Sequence, residues 1–172
     1  MTYVEILCLA VLDLSMPRAH IACDHMQEVV EASELYGVKP ETLVSLIRHE
    51  SRWSAKAVSR AGACGLTQVL PKYTKKPRLS CRQLKNPRTA IFAGAKALSK
   101  WISRYGKGSE AKGLCGYNAG YTCGRRYNRR HGGWRYARKV RKYAKLLIQR
   151  VEYIKDCIKN RTGDDQEMGC SC

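Results

Sequence analysis

The chain has 172 residues, enough for one domain with a sizeable core, and a second domain is not expected. Its formal net charge of +18 favours polyanionic partners, either nucleic acid or the anionic polymers and lipids of a cell envelope. The charge is local, because residues 51–151 hold 26 Lys and Arg but only one acid, Glu110. This shortage excludes most mechanisms that need several carboxylates there. The candidates that remain are Glu110 and, at the upstream border, Glu50.

The first 22 residues form an apolar N-terminal segment. Its apolar run, 6–12, has the character of a secretion-signal core, but no Lys or Arg precedes it, and Glu5 and Asp13 flank it. The run is too short to cross a bilayer as a helix, and no other part of the sequence predicts a transmembrane span. Two interpretations therefore stay open for residues 1–22, a weak secretion signal and a docking segment.

Apolar residues recur three or four positions apart over most of the chain. This pattern predicts a series of helices with short breaks, and hence an all-α or nearly all-α fold. Asn86 is expected to cap one helix and Gly106 to end it. The predicted helices span 24–36, 39–50, 86–105 and 134–158. The buried faces predicted for the first, third and last are Met26, Val29, Val30 and Leu35; Ile91, Leu98, Ile102 and Tyr105; and Tyr136, Val140, Tyr143, Leu147, Val151, Ile154 and Ile158.

Glu50 lies at the end of the second predicted helix and on its buried face. Burial disfavours the charged form of a carboxylate, and the negative end of the helix dipole does the same, so both raise its pKa. Arg48 and Arg52 act in the opposite direction, but each is two residues away and should project elsewhere. A carboxylic acid that keeps its proton near neutral pH is suited to general acid catalysis. The alternative is a helix-terminal glutamate paired with an arginine. Three apolar residues share the face: Leu43, Leu46 and Ile47.

Nine cysteines favour disulfides, because no pair has the spacing of zinc ligands. A bridge between Cys115 and Cys123 would close a short loop, and Cys64 with Cys81 would form a second pair. The odd count leaves at least one thiol free or intermolecular, and the terminal "CSC" is the most exposed candidate. Reduced cysteines scattered as small core residues are the alternative. The four histidines also lack metal-ligand spacing, so we expect no metal and no cofactor, and assign them no catalytic part: His20, His25, His49 and His131.

Four short motifs follow one another from Glu50 onward. They are Glu50 and Ser51; Ser59, Gly62, Gly65, Leu66, Gln68 and Pro71; Tyr117, Asn118, Ala119 and Gly120; and Tyr136. In this order they resemble the catalytic domain of soluble lytic transglycosylases, over about residues 23–150. The resemblance implies a lysozyme-like helical domain with an active-site groove.

The family resembled cleaves the β-1,4 bond between N-acetylmuramic acid and N-acetylglucosamine in peptidoglycan. One glutamate performs both proton transfers, and the product carries a 1,6-anhydro ring, so no water is consumed. The resemblance therefore assigns Glu50 as the catalytic residue, in agreement with the shortage of acids. A glycosidase with two carboxylates would need them within roughly 5 to 10 Å of each other.

The resemblance also implies substrate-binding residues. Gln68 offers an amide that both donates to and accepts from N-acetyl groups. Tyr117 and Asn118 would flank the scissile bond, Tyr136 would orient Glu50 or the substrate, and Ser59 would belong to the substrate-binding loop. Several residues stand apart from these roles. Gly62 and Gly65 either admit the glycan or merely turn the chain; Thr67, Cys64 and Cys115 depart from the family pattern; and Trp53, Trp101 and Trp134 are interpreted as core rather than sugar platforms.

These predictions divide the chain into an N-terminal segment at 1–22, a transglycosylase domain at 23–150, and the end of the last helix with a Cys-containing polar tail at 151–172. The expected partners are peptidoglycan glycan strands and anionic envelope polymers, with no specific nucleic acid. The expected location is extracytoplasmic, in the periplasm or cell wall, or in a phage virion or tail that the N-terminal segment would contact. Two alternatives remain: a hydrolysing lysozyme on the same fold, and a basic nucleic-acid-binding protein without catalysis.

Overall fold

A computed structural model describes residues 1–125 and 132–160 of the chain. Within these residues the fold is helical, and the only β-type pairings are isolated bridges that Cys64 makes with Val58 and Val69. The helices are α1 (Tyr3–Asp13), α2 (Ala19–Asp24), α3 (Met26–Tyr36), α4 (Pro40–Ser51), α5 (Cys81–Leu84), α6 (Pro87–Lys100), α7 (Glu110–Ala119), α8 (Thr122–Arg125) and α9 (Gly132–Asn160). A short 3₁₀ helix spans Pro71–Tyr73, and a π-helical turn, Trp101–Tyr105, follows α6.

The ends of the helices follow the capping residues of the sequence. Pro40 occupies the first turn of α4, where its missing N–H costs no hydrogen bond. The Asn86 side chain accepts a hydrogen bond from the Thr89 amide and caps α6 as predicted. Gly37 ends α3 in the left-handed conformation. The predicted helical fold and its approximate boundaries are therefore confirmed.

The long helix α9 organises the core. It packs against α7, α4 and α1, while α3 packs against α6. Its apolar stripe is buried at Val140, Leu147, Val151 and Ile154, as its spacing predicts. Because α4 and α7 both lie on α9, residues far apart in sequence meet where the end of α4 faces the first turns of α9.

The N-terminal segment is part of this core. Leu7, Ala10 and Val11 of α1 have no exposed surface, and α1 contacts α9 and α2. A disulfide between Cys8 and Cys23, which the sequence analysis did not pair, joins α1 to α2. Residues 1–22 therefore contact the rest of the chain in this structure. No described helix is long and apolar enough to cross a membrane.

Two residues assigned to buried faces are exposed, and those assignments were wrong. Leu35 is 64% exposed, because it lies six residues after Val29 and so falls off a face completed by the small residues Ala32 and Ser33. Tyr105 is 41% exposed. The Gly106 amide bonds to the Trp101 carbonyl five residues back, and this π turn rotates the register of the stripe.

Both disulfides predicted from the sequence are present. Cys115 is bonded to Cys123, and Cys64 is bonded to Cys81. The second bridge ties the glycine-rich loop before Pro71 to α5. The terminal "CSC" and His131 lie outside the described residues, as does most of the basic loop that follows Arg125.

Candidate active site

Glu50 occupies the last turn of α4, at the edge of the core. The apolar residues on the same face of α4, Leu43, Leu46 and Ile47, have no exposed surface, and Glu50 itself is partly buried. Burial raises the pKa of Glu50 from 4.5 to about 7. Protonated and ionised forms of Glu50 are therefore both populated near neutral pH. The direction of this shift is the one expected for a carboxyl group on the buried face of the helix.

Tyr136, in the first turns of α9, is the hydrogen-bond partner of this carboxyl group. Its hydroxyl donates to Oε1 of Glu50 at 2.6 Å, and this bond opposes the effect of burial on the Glu50 pKa. Burial and the neighbouring Glu50 charge raise the pKa of Tyr136 well above its usual value, so Tyr136 keeps its proton and remains a donor. The predicted contact between Tyr136 and Glu50 is thus present.

The two arginines that flank Glu50 point elsewhere. The Arg48 guanidinium stacks over the Tyr143 ring, 4.2 Å from its centroid. Arg52 adopts a left-handed conformation that ends α4, and its carbonyl accepts a hydrogen bond from Arg18. Neither arginine forms an ion pair with Glu50 or contributes to its pKa shift. The alternative interpretation, in which Glu50 forms an ion pair with Arg48 or Arg52, is therefore wrong.

Tyr117 connects α7 to the glycine-rich loop beside Glu50. Its hydroxyl donates to the Thr67 carbonyl at 2.7 Å, and the Glu50 charge is close enough to add to the raised pKa that burial gives Tyr117. Thr67, which departs from the family pattern, is fully buried, and its hydroxyl donates to the Ala90 carbonyl at 2.7 Å. A Cβ on Gly94 would lie 2.4 Å from the Thr67 side chain, so a glycine makes room for this threonine.

Gln68 is held by the loop on which it lies. Its side-chain amide donates to the carbonyls of Ala57 at 3.2 Å and Gly65 at 2.9 Å. The N–H groups of Gln68, which we expected to donate to N-acetyl groups, therefore hold the loop. Oε1 of Gln68 is the atom of this amide that is left for a ligand. Gly65 has φ +75°, and a Cβ there would lie 1.8 Å from the Leu84 carbonyl oxygen, so glycine is required at this position by the fold.

Ser59 and Asn118 are both exposed. The Ser59 hydroxyl accepts a hydrogen bond from the Ala63 amide at 3.0 Å and thereby closes a turn of the glycine-rich loop. Asn118 follows Tyr117 on α7. In the described part of the chain no hydrogen bond joins either side chain to Glu50, and their roles in substrate binding stay predictions.

His49 is a site residue that the sequence analysis missed. Its Nδ1 donates to the Ser45 carbonyl at 2.8 Å, and its ring meets Tyr136 edge-on with 6.4 Å between centroids. Burial, with the nearby Arg48 and Lys139 charges, lowers the pKa of His49, so the ring is neutral at physiological pH. The ring therefore contacts Tyr136 without adding charge beside Glu50. The sequence signal for this contact was the spacing of four residues between Ser45 and His49, which brings the His49 ring near the Ser45 carbonyl on a helix.

Glu110 is the other acid of the basic half. It begins α7 and is only 30% exposed. Its carboxylate accepts a hydrogen bond from the Thr42 hydroxyl at 2.9 Å and lies 3.6 Å from Nε of Arg141. The Glu110 carboxylate is therefore engaged by a hydrogen bond and an ion pair within the chain. Among the described residues no second carboxylate shifts the pKa of Glu50.

The three tryptophans differ in environment. Trp53 is 1% exposed and belongs to the core, as expected. Trp101 and Trp134 are only partly buried and line a cavity of about 490 Å³ together with Tyr105 and Tyr121. For these two the interpretation as core alone was incomplete. No group of three or more His, Cys, Asp or Glu within 1–125 and 132–160 is arranged to hold a metal ion.

Comparisons with known proteins identify a family and relatives of this chain. The family model described as "Transglycosylase SLT domain" matches residues 28–139. The membrane-bound lytic murein transglycosylase F 1 of Alkalilimnicola ehrlichii is 30% identical over 136 residues, which are 72% of this chain and 26% of that protein. An inactive glutamate-to-glutamine mutant of the lytic transglycosylase Slt from Pseudomonas aeruginosa shares the fold, with a TM-score of 0.60 at 20% identity.

The match to Slt covers 88% of this chain and 30% of the Slt chain, and it confirms the predicted lysozyme-like helical fold. The chain thus spans less than a third of the length of these two relatives. The family model, in contrast, covers well over half of the chain and includes the segment from α3 to the first turns of α9. The chain therefore belongs to the transglycosylase SLT domain family.

Proposed function

We propose that this chain is a lytic transglycosylase that cleaves the β-1,4 bond between N-acetylmuramic acid and N-acetylglucosamine in peptidoglycan. The observation that carries the proposal is the environment of Glu50, whose pKa of about 7 lets one residue serve first as an acid and then as a base. A mechanism with two carboxylates has less support, because Glu110 is engaged by Thr42 and Arg141.

The reaction begins with protonated Glu50. Glu50 gives its proton to the glycosidic oxygen, and the bond to the anomeric carbon of N-acetylmuramic acid breaks. The N-acetyl group stabilises the oxocarbenium-like centre. Ionised Glu50 then takes the proton from the 6-hydroxyl of the same sugar, whose oxygen bonds to the anomeric carbon. The products are a 1,6-anhydro-muramic end and a free 4-hydroxyl, and Glu50 regains its proton.

The neighbours of Glu50 supply what each step needs. The Tyr136 hydroxyl orients the carboxyl group and stabilises it once it has lost its proton. We assign substrate contacts to Tyr117, Asn118, Ser59 and Gln68, with Oε1 of Gln68 as the acceptor for an N-acetyl N–H. The bond from Tyr117 to the Thr67 carbonyl keeps the glycine-rich loop and α7 at a fixed separation across this site.

The direct test is loss of wall-degrading activity in Glu50→Gln, with Glu110→Gln as the matched control. Turbidity of purified sacculi should fall at least 100-fold more slowly with Glu50→Gln, on the order of the contribution of a general acid. Glu110→Gln keeps an acceptor for Thr42 and should clear sacculi at close to the normal rate. A Glu50→Gln protein that clears sacculi at the normal rate would remove Glu50 from the mechanism.

We further propose that anionic envelope polymers hold the enzyme on its substrate. A shallow cavity of about 210 Å³ beside the end of α4 is lined by Arg48, His49, Lys139 and Lys142, without an acidic residue among its lining. Phosphate and carboxylate groups suit this surface. Lys139→Gln combined with Lys142→Gln should weaken co-sedimentation with whole cell walls, and added salt should abolish the difference. Equal co-sedimentation at low salt would contradict the proposal.

An extracytoplasmic location agrees with the three disulfides that join pairs of described residues, since disulfides persist in oxidising compartments. Within that location we propose the periplasm or cell wall, with delivery in a phage virion as a second route. Leu9 and Leu12 on the outer face of α1 are 39% and 46% exposed and offer apolar contacts to a virion or tail protein. Mass spectrometry of purified virions that carry the gene would detect the chain, and its absence would remove the second route.

A further inference from the structure

Trp101, Tyr105 and Tyr121 form a cluster of three aromatic rings on the surface. The Trp101 ring lies 4.5 Å from the Tyr105 ring and 5.3 Å from the Tyr121 ring, centroid to centroid. The hydroxyls of Tyr105 and Tyr121 are hydrogen-bonded at 2.7 Å. Tyr121 is nevertheless 63% exposed and Tyr105 41% exposed. A cluster that is held together but exposes so much ring surface marks an interaction site rather than a piece of core.

The cluster lines the cavity of about 490 Å³, which is within the usual size range of ligand sites. One wall is close-packed, because a Cβ on Gly116 would lie 2.5 Å from the Trp101 ring. Lys107 and Lys112 lie at the cavity as well, and neither forms an ion pair within the part of the chain that the structure describes. The cavity therefore combines fixed aromatic faces with available positive charge.

Helix α7 contributes residues both to this cavity and to the candidate active site. Gly116 and Gly120 line the cavity, and Tyr117, which lies next to Gly116, is within electrostatic reach of Glu50. The exposed Tyr73, on the 3₁₀ helix after the glycine-rich loop, has its hydroxyl near enough to that of Tyr121 to influence it. A ligand strand that ran from Glu50 along α7 would reach Tyr121, which follows the end of that helix.

We propose that Trp101, Tyr105 and Tyr121, with Lys107 and Lys112, form an accessory subsite for a distal muropeptide unit of the glycan strand whose scissile bond is at Glu50. The apolar faces of a sugar ring match aromatic rings, and stem-peptide carboxylates match the two ammonium groups. This inference rests on the proposed function, because it takes the substrate from there. The subsite would increase affinity for long, peptide-bearing strands without taking part in bond cleavage.

The test uses the full chain with Glu50→Gln, so that bound strands are not cleaved during the measurement. Calorimetry would give the Kd for two probes of matched length: a peptide-bearing glycan strand and a neutral N-acetylglucosamine oligomer. In this background Tyr121→Ala should raise the Kd for both probes about tenfold, the loss expected for one well-placed ring. Replacing Lys107 and Lys112 by Gln should raise the Kd for the peptide-bearing strand alone.

Two residues of α9 provide matched controls. Tyr153→Ala removes an aromatic ring that is 39% exposed, and Lys155→Gln removes an ammonium group, and both lie away from the cavity. Near-ultraviolet circular dichroism would verify that each variant is folded. Equal Kd values for Tyr121→Ala and Tyr153→Ala would overturn the subsite, and equal Kd values for the lysine variants would overturn its carboxylate contacts.

Failure of this inference is distinguishable from failure of the proposed function. With Glu50 intact, Tyr121→Ala should raise the KM for long strands and leave kcat unchanged, because it removes binding energy that the substrate and transition state share. If the subsite is wrong, KM stays normal while Glu50→Gln is still inactive. If the proposed function is wrong, Glu50→Gln degrades sacculi whatever residue occupies position 121.

Discussion

The hydroxyl of Tyr136 donates a 2.6 Å hydrogen bond to Oε1 of Glu50, although the two residues lie 86 positions apart in sequence. The bond joins the last turn of α4 to the first turns of α9. It favours the ionised carboxylate, whereas burial favours the neutral acid, and the pKa of about 7 is the balance between them. The proposed mechanism needs this balance, because Glu50 must both lose and regain a proton in each cycle.

Removing that hydrogen bond should shift the pH dependence of catalysis. Tyr136→Phe deletes an interaction with the ionised form, so the pKa of Glu50 should rise, and the alkaline limb of kcat/KM should move upward by about one pH unit. Tyr143→Phe removes a hydroxyl from the same helix, where Arg48 rather than Glu50 is the neighbour, and is the control. A limb that stays in place or moves to lower pH in Tyr136→Phe would contradict the assignment.

Glu50 should make the stability of the fold depend on pH in a defined direction. Because its folded pKa of about 7 is above the unfolded value of 4.5, its contribution is fully present below pH 4.5 and is lost as the pH rises through 7. Above pH 7 the ionised carboxylate costs up to about 3 kcal/mol. The stability gained by Glu50→Gln, measured by urea unfolding, should therefore grow between these two pH values.

Glu31 offers a control of the opposite sign for the same series. Hydrogen bonds from Gln27 and Arg88 lower the pKa of this exposed carboxylate. The free energy of unfolding of Glu31→Gln, measured by urea unfolding, should therefore fall relative to that of the parent as the pH rises. A Glu50→Gln difference that is flat with pH would contradict the burial of the Glu50 carboxyl group.

The bond between Tyr117 and the Thr67 carbonyl should stabilise the fold and keep the glycine-rich loop in place. Tyr117→Phe leaves this buried carbonyl without its donor, which should lower the free energy of unfolding by about 1–3 kcal/mol. Tyr73→Phe, at an exposed tyrosine, should change the free energy of unfolding by less than about 0.5 kcal/mol. Equal values for the two variants in urea titrations would contradict this role.

Removing each of two disulfides of similar span would distinguish an effect on stability from an effect on the geometry of the site. Cys64–Cys81 closes 17 residues and Cys8–Cys23 closes 15, so replacing either pair by alanine should cost about 3 kcal/mol. Only the first pair anchors the loop that carries Gln68. Its removal should raise the KM for glycan strands as well as lower the Tm, whereas removal of Cys8–Cys23 should lower the Tm alone. A normal KM without Cys64–Cys81 would show that the loop needs no such anchor.

Local patterns in the sequence predicted what depends on near neighbours. The spacing of Leu43, Leu46 and Ile47 was enough to place Glu50 on a buried face, because a helix fixes which side chains align. Asn86 and Gly106 predicted helix ends for the same reason. The contact between Tyr136 and Glu50 was expected only from the family resemblance, since no local pattern connects residues so far apart.

The features that the sequence did not predict depend on tertiary packing. Cys8 pairs with Cys23 because α1 and α2 pack together, and nothing in their spacing requires it. The π turn after α6 exposes Tyr105, which a regular helix would have buried. The amide of Gln68 serves its own loop because residue 68 has a left-handed backbone that points the side chain at nearby carbonyls.

The most direct measurement is mass spectrometry of the muropeptides released from purified sacculi in isotopically labelled water. If Glu50 acts alone and transfers the bond to the 6-hydroxyl of the same sugar, the new ends should be 1,6-anhydro-muramic acid without label. Reducing muramic ends that carry oxygen from the labelled water would mean hydrolysis, and would contradict the account of a single carboxyl group used twice.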